Sequence, residues 1–98
     1  MDMLWGMSAK PKPPSAYPDS ENIREVLAFQ IRSRRVAKGW SQERLAFEAE
    51  LDRTYVSAVE RCTWNVSLSN IEKIAHALDA HVYEILMPPE LVVDRQDL

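Results

Sequence analysis

Residues 41–60, SQERLAFEAELDRTYVSAVE, constrain the fold more tightly than any other stretch of the chain. Ser41 is placed to cap a helix, because its hydroxyl can accept an orphan N–H of the opening turn. Leu45, Ala46 and Ala49 then share one helical face, and Leu51 follows in a turn. Asp52 is placed to cap a second helix whose apolar face is Val56 and Val59, with Ala58 beside it. The two caps leave room for about two turns of helix and a corner of about three to four residues, the spacing of a helix-turn-helix. Arg53, Thr54, Tyr55 and Ser57 remain near the start of the second helix, where a recognition helix meets base edges. The pattern predicts DNA binding through a recognition helix over residues 52–61.

The flanking sequence supplies the elements that would bury these faces. A first helix is expected to start at Asp19 or Ser20, to bury Ile23, Leu27 and Ile31 with Ala28 and Arg35, and to end at Gly39 as a C-cap glycine. Ser67 caps a fourth helix facing inward through Leu68, Ile71, Ile74, Ala75 and Leu78. A last short helix runs from His81 to Met87, with Val82, Ile85 and Leu86 apolar, and Pro88-Pro89 stops it. Only the LVV run at 91–93 reads as a candidate strand. The expected fold is all-α, with five helices and the helix-turn-helix at the second and third. Residues 1–20 hold four of the six prolines and no periodic apolar face, and read as a disordered or extended arm. That arm is either a dispensable tail or a reach toward a DNA groove through Lys10 and Lys12. Residues 21–88 form the domain, and 89–98 a C-terminal tail able to contact a second copy.

Composition bounds the function. At 98 residues the chain supports one domain, and its apolar runs fall short of the ~20 residues of a membrane span. The N-terminus lacks the pattern of a secretory signal, and the single Cys62 cannot form an internal disulfide, so a cytoplasmic setting is expected. The net charge of −3 is unusual for a nucleic-acid binder, but its distribution is uneven. Residues 21–65 carry eight Lys/Arg against seven Asp/Glu, whereas residues 66–98 carry two against six. A near-neutral middle implies weak nonspecific binding per monomer, and hence a need for dimerisation. Enzymatic function is not expected: there is no nucleophile–base constellation, no phosphate-cradling glycine loop, and only two glycines. His76 and His81 lack the spacing of a metal site, and no cofactor is implied.

Three linked motifs carry a family resemblance: R-x-x-x-G-(aromatic or apolar)-S-Q-E-x-L-A, then Y-(V/I)-S-x-(V/I)-E-R, then N-x-S-L-x-N-I-E-K-I-A-x-A-L. The run from Ile31 to Leu86 resembles the Cro/repressor-type helix-turn-helix (xenobiotic-response-element) family, and is especially similar to the controller proteins of restriction–modification systems. The resemblance implies a lambda-repressor-like domain and assigns roles by position. Gln42 matches a phosphate contact that also braces the recognition helix. Arg53 and Thr54 match base-contacting positions, Ser57 and Ala58 positions one turn on, and Arg61 and Asn65 backbone-gripping ones. Arg35 and Glu60 match a salt bridge between the first and third helices. Glu50 and Cys62 stand where the family usually has glycine, so either a left-handed residue costing about 1 kcal/mol or a different local turn is expected.

The residue types allow these roles to be weighed. Arginine at the first position of a helix opposes the dipole, which favours a task for Arg53 in the major groove, bidentate to guanine. Tyr55 either packs its ring or offers its hydroxyl to phosphate. Trp40 is expected to fill the joint between the first two helices, and Trp64 to wedge under the fourth or face a partner. Apolar residues left beyond the fourth helix (Val82, Tyr83, Leu86, Met87, Leu91 and Val92) are the expected dimer interface. The function that emerges is a homodimeric transcriptional regulator, a repressor or autoregulator, on a palindromic double-stranded operator. The alternative is an antitoxin-like interaction module with secondary DNA binding.

Overall fold

Asn22 opens the first helix, not Asp19 or Ser20: its side chain accepts from the N–H groups of Arg24 and Glu25. Asp19 instead builds the preceding turn, accepting the Asn22 N–H on its carbonyl and the Glu21 N–H on Oδ1. The structure, a computed structural model, describes residues 11–14 and 16–91. It contains α1 (Ile23–Ala37), α2 (Gln42–Ala49), α3 (Arg53–Glu60), α4 (Leu68–Ala77) and α5 (Val82–Ile85), then a 3-10 turn at Pro89–Leu91. No strand occurs among the described residues, so Leu91 belongs to that turn. Ser41, Asp52 and Ser67 cap α2, α3 and α4 as their positions predict, accepting from Arg44, Thr54 and Asn70 N–H respectively. The last helix is shorter than expected. His81 and Glu84 form a capping box around its start, and the helix ends at Ile85, ahead of the prolines.

Four helices end in one way. Gly39, Glu50, Cys62 and Asp79 all take positive φ, between 57° and 75°. After each, the next residue returns its N–H to a carbonyl five positions back: Trp40 to Arg35, Leu51 to Ala46, Thr63 to Ala58, and Ala80 to Ala75, at 2.8–3.0 Å. This is the Schellman closure, which satisfies the orphan carbonyls of a helix end. Only one of the four uses glycine.

The core lies where these helices converge. Leu27 and Ile31 of α1, Leu45, Ala46 and Ala49 of α2, Val56 and Val59 of α3, Ile71, Ile74 and Ala75 of α4, Leu78 and Ile85 form one buried cluster. Two residues expected to face the core are exposed instead: Ile23 is 56% exposed and Leu68 is 76% exposed. Both sit in the first turn of their helix, where the apolar stripe has run past the edge of its neighbours. Val26 is fully buried in their place on α1. Trp40 is half-buried at the joint of α1 and α2, with Lys38 and Arg44 over its ring at 5.0 and 4.9 Å. Lys38 also pairs with Asp79 at 2.9 Å, tying the ends of α1 and α4. The Lys38 hydrogen bond and then its charge hold the exposed Asp79 carboxyl below the usual carboxylate range.

Part of the proline-rich segment, read from sequence as a disordered or extended arm, contacts α1. Tyr17 meets Phe29 edge-to-face at 5.6 Å, and the Lys12 carbonyl accepts from Arg32 Nε at 2.9 Å. Lys10 lies outside the described residues.

Candidate nucleic-acid interface

The orientation of α3 is set from beneath by a buried charged network. Arg35 Nε and Nη2 donate to Glu60 Oε2 and Oε1 at 2.7 and 2.8 Å, a bidentate pair whose side chains are 5% and 3% exposed. Arg35 Nη1 donates to the Trp40 carbonyl at 2.8 Å, and Gln42 Nε2 to Glu60 Oε1 at 3.1 Å. The last residue of α3 is thereby fastened to α1, to the α1–α2 corner and to the first residue of α2. A buried ion pair earns its place only when nearly all of its donors and acceptors are satisfied, and this one is. Gln42, half-buried, braces the recognition helix as its position implies.

The predicted contact residues Arg53, Thr54, Ser57 and Arg61 follow one another along the outer part of α3. Arg53 and Thr54 are exposed at its start, and Ser57 is half-exposed one turn later. Arg61 caps its end and donates through Nη1 to Ser57 Oγ. Among the described residues Arg53 enters none of the ion pairs, which join Arg35 to Glu60, Lys38 to Asp79, and Arg44 to Glu48. Its guanidinium keeps its charge unspent at the helix end where that charge is locally unfavourable. The eight residues of α3 span about 12 Å, close to the ~12 Å width of the B-DNA major groove.

Ala58 departs from expectation. Ala58 is 1% exposed and packs in the interior, so it offers no surface to DNA. Its carbonyl receives both the N–H and the Oγ1 of Thr63. Of the two places expected for Trp64, the structure leaves the ring partly at the surface. It stays 46% exposed, edge-on to the half-buried Tyr55 ring at 5.8 Å. The Tyr55 ring thus packs, on the core and on Trp64.

Asn65 lies just beyond α3, exposed, and its Oδ1 accepts from Arg24 Nη1 at 3.1 Å. Sequence reasoning missed Arg24: it belongs to the first turn of α1, 41 positions away, and no periodicity links the two. Beside it, Cys62 Sγ reaches the Arg24 carbonyl at 3.6 Å. Burial, and then the charge of Glu25, raise the Cys62 thiol above its ordinary pKa against an opposing effect of Arg24, which leaves it a poor nucleophile. No group of three or more His, Cys, Asp or Glu able to hold a metal occurs among the described residues. No described helix is long and apolar enough to cross a membrane.

The residues expected at a dimer interface divide into two sets. Tyr83 and Leu91 are 59% and 60% exposed. Val82 and Leu86 are half-buried against the core, and are to that extent packing residues of this chain. Met87 is half-buried, and its carbonyl accepts from the buried Gln30 amide at 2.8 Å. Val92 lies outside the described residues.

A short helix braced from below, with a polar outward row and a tight corner before it, defines a helix-turn-helix DNA-binding regulator of transcription. The family model described as "Helix-turn-helix" matches residues 31–85, more than half of the chain, and the chain belongs to that family. It is 57% identical over 77 residues to the "Neisseria hypothetical transcription factor" of Neisseria meningitidis, covering 79% of this chain and 73% of that protein. The crystal structure of a hypothetical transcription factor from Neisseria superposes with a TM-score of 0.81 at 56% identity, covering 83% of this chain and 91% of that one. Control protein C.BamHI of Bacillus amyloliquefaciens is 48% identical over 68 residues, 68% of this chain and 84% of its own length. The restriction–modification controller protein C.AhdI of Aeromonas hydrophila superposes with a TM-score of 0.61 at 50% identity, covering 63% of this chain and 94% of that one.

Proposed function

We propose that the chain works as a homodimer that reads a palindromic operator, with one α3 in each of two successive major grooves, and that it represses or autoregulates a small operon. The unspent Arg53 guanidinium at the exposed start of a rigidly braced helix carries this reading. In that pose Arg53 reads a guanine through O6 and N7, and Thr54 assists it. Gln42 and the free N–H groups at the start of α2 meet a phosphate, while Arg61 and Asn65 meet the backbone beyond α3. Two copies are required because one carries few cationic contacts on a chain of net charge −3. The relation to proteins named as control proteins supports a regulatory role. It also makes a non-enzymatic role the natural one.

Selection of bound duplexes from random DNA tests the assignment. The unaltered protein should select a two-fold symmetric site with half-sites one helical turn apart. Arg53→Ala should lose preference at one base pair per half-site, by about 1–3 kcal/mol, while nonspecific binding persists. Uniform weakening at every position would assign Arg53 to phosphate instead.

A further inference from the structure

We propose that Arg24 and Asn65 together form a phosphate clamp at the C-terminal end of the recognition helix, outside the helix-turn-helix unit itself. This rests on the groove reading of α3 given above. If Arg53 meets base edges at one end of a helix about as long as the groove is wide, the chain leaving the other end arrives at the groove wall, where phosphates lie. Asn65 stands there, four positions past Arg61, and Arg24 is fastened to it.

The local chemistry is that of an anion site. Arg24 Nη1 spends its bond on a neutral amide oxygen, and Arg24 forms no ion pair among the described residues. The neighbouring carboxylate, Glu25, is engaged by the Asp19 N–H at 3.1 Å and the Asn22 amide at 3.3 Å. Most of the Arg24 fork therefore remains available and positively charged. The Arg24 bond also sets Asn65 with its oxygen toward the guanidinium, which leaves the Asn65 NH2 group to donate outward. An arginine fork beside an amide NH2 presents parallel donors to one phosphate, with the arginine already immobilised before binding. The Arg24 main chain is held as well, its N–H by the Asn22 cap and its carbonyl by Cys62 Sγ. Arg24 precedes the matched span of residues 31–85, so this contact would be supplied by α1 rather than by the core motif.

Binding of the selected operator duplex, and of an unrelated duplex of equal length, is to be followed by fluorescence anisotropy across a range of salt. Arg24→Gln removes the charge but keeps an amide donor for Asn65. It should weaken both duplexes about equally, by roughly 5- to 10-fold at 0.1 M salt, and lower the salt slope by about one per protomer. Arg24→Lys should restore most of the slope, and the base preference set by Arg53 should be unchanged in both variants. Because Arg24 is exposed, thermal melts of the variants should match the parent. An unchanged slope for Arg24→Gln overturns the clamp, as does the absence of any further loss when Arg24→Gln is added to Asn65→Ala. A parent protein that selects no sequence overturns the groove reading itself, and the clamp with it.

Discussion

Glu60 accepts three hydrogen bonds while its side chain is almost wholly removed from water, two from Arg35 and one from Gln42. Its worth lies less in the Coulomb attraction, much of which repays desolvation, than in what its loss would strand. Glu60→Ala leaves the buried Arg35 guanidinium and the Gln42 amide without their carboxylate and frees the end of α3. It should cost about 3–5 kcal/mol in urea unfolding, a large part of the total stability of a domain this size. A loss below about 1 kcal/mol would show that water reaches Arg35 and that the brace is weak. The Arg35–Glu60 pair was legible from the motif, but that Gln42 donates to the same carboxylate was not, because spacing in sequence carries no geometry. Ala58 fails for a related reason. A position within a recognition motif gives no side of the helix by itself, and the fold leaves Ala58 only 1% exposed. Arg24 was not legible at all, since its partner is brought near only by the fold.

At the scale of the element, caps were the most readable feature. Ser41, Asp52 and Ser67 each accept the N–H that a cap residue in their position should, because capping is a local bond between neighbours in sequence. Helix ends were harder to read, since the usual signal is glycine and three of the four Schellman closures proceed without it. Glu50 holds φ 59° and ψ 43°, a conformation that crowds a Cβ and that glycine adopts freely. Of the three it is the cleanest site for a test. Asp79 would lose its Lys38 partner, and Cys62 its contact to the Arg24 carbonyl. Glu50→Gly should therefore stabilise the fold by about 0.5–1 kcal/mol, net of the extra freedom that glycine gives the unfolded chain. In a domain of this size the melting temperature should rise by about 2–8 °C. Glu50→Ala serves as the control: it removes the same charge but keeps the Cβ. If it stabilises equally, relief of acidic repulsion and not backbone strain is the cause. The proline-rich segment also belongs to this scale. Composition argued against a helix there, but a segment without regular structure can still dock, and Tyr17 does so on Phe29.

For the whole molecule the governing quantity is charge set against symmetry. A single copy offers the groove only a handful of donors on a body that is acidic toward its C-terminal end, so its phosphate contacts alone should hold DNA weakly and release it as salt rises. In the homodimer proposed above, a second copy would convert the second half-site into a tethered encounter, with a gain of about 100-fold or more and no new kind of contact. The surface able to supply that copy must be apolar and not already used by the core of its own chain. Val82 and Leu86 fail the second condition in part, since both pack on the central cluster, and a charge at either would unfold the domain before it reported on assembly. Tyr83 meets both conditions better: it is 59% exposed, is not part of the central cluster, and stacks its ring on His81 at 5.1 Å. Tyr83→Glu should therefore leave the folded monomer intact by circular dichroism and shift sedimentation from dimer to monomer. Operator affinity should fall by about 100-fold or more, while weak nonspecific binding persists. Any drop in melting temperature should depend on the concentration of the parent and not of the variant, because only the parent gains stability from association. A Tyr83→Glu protein that sediments as a dimer and binds its operator undiminished would move the interface off this end of the molecule.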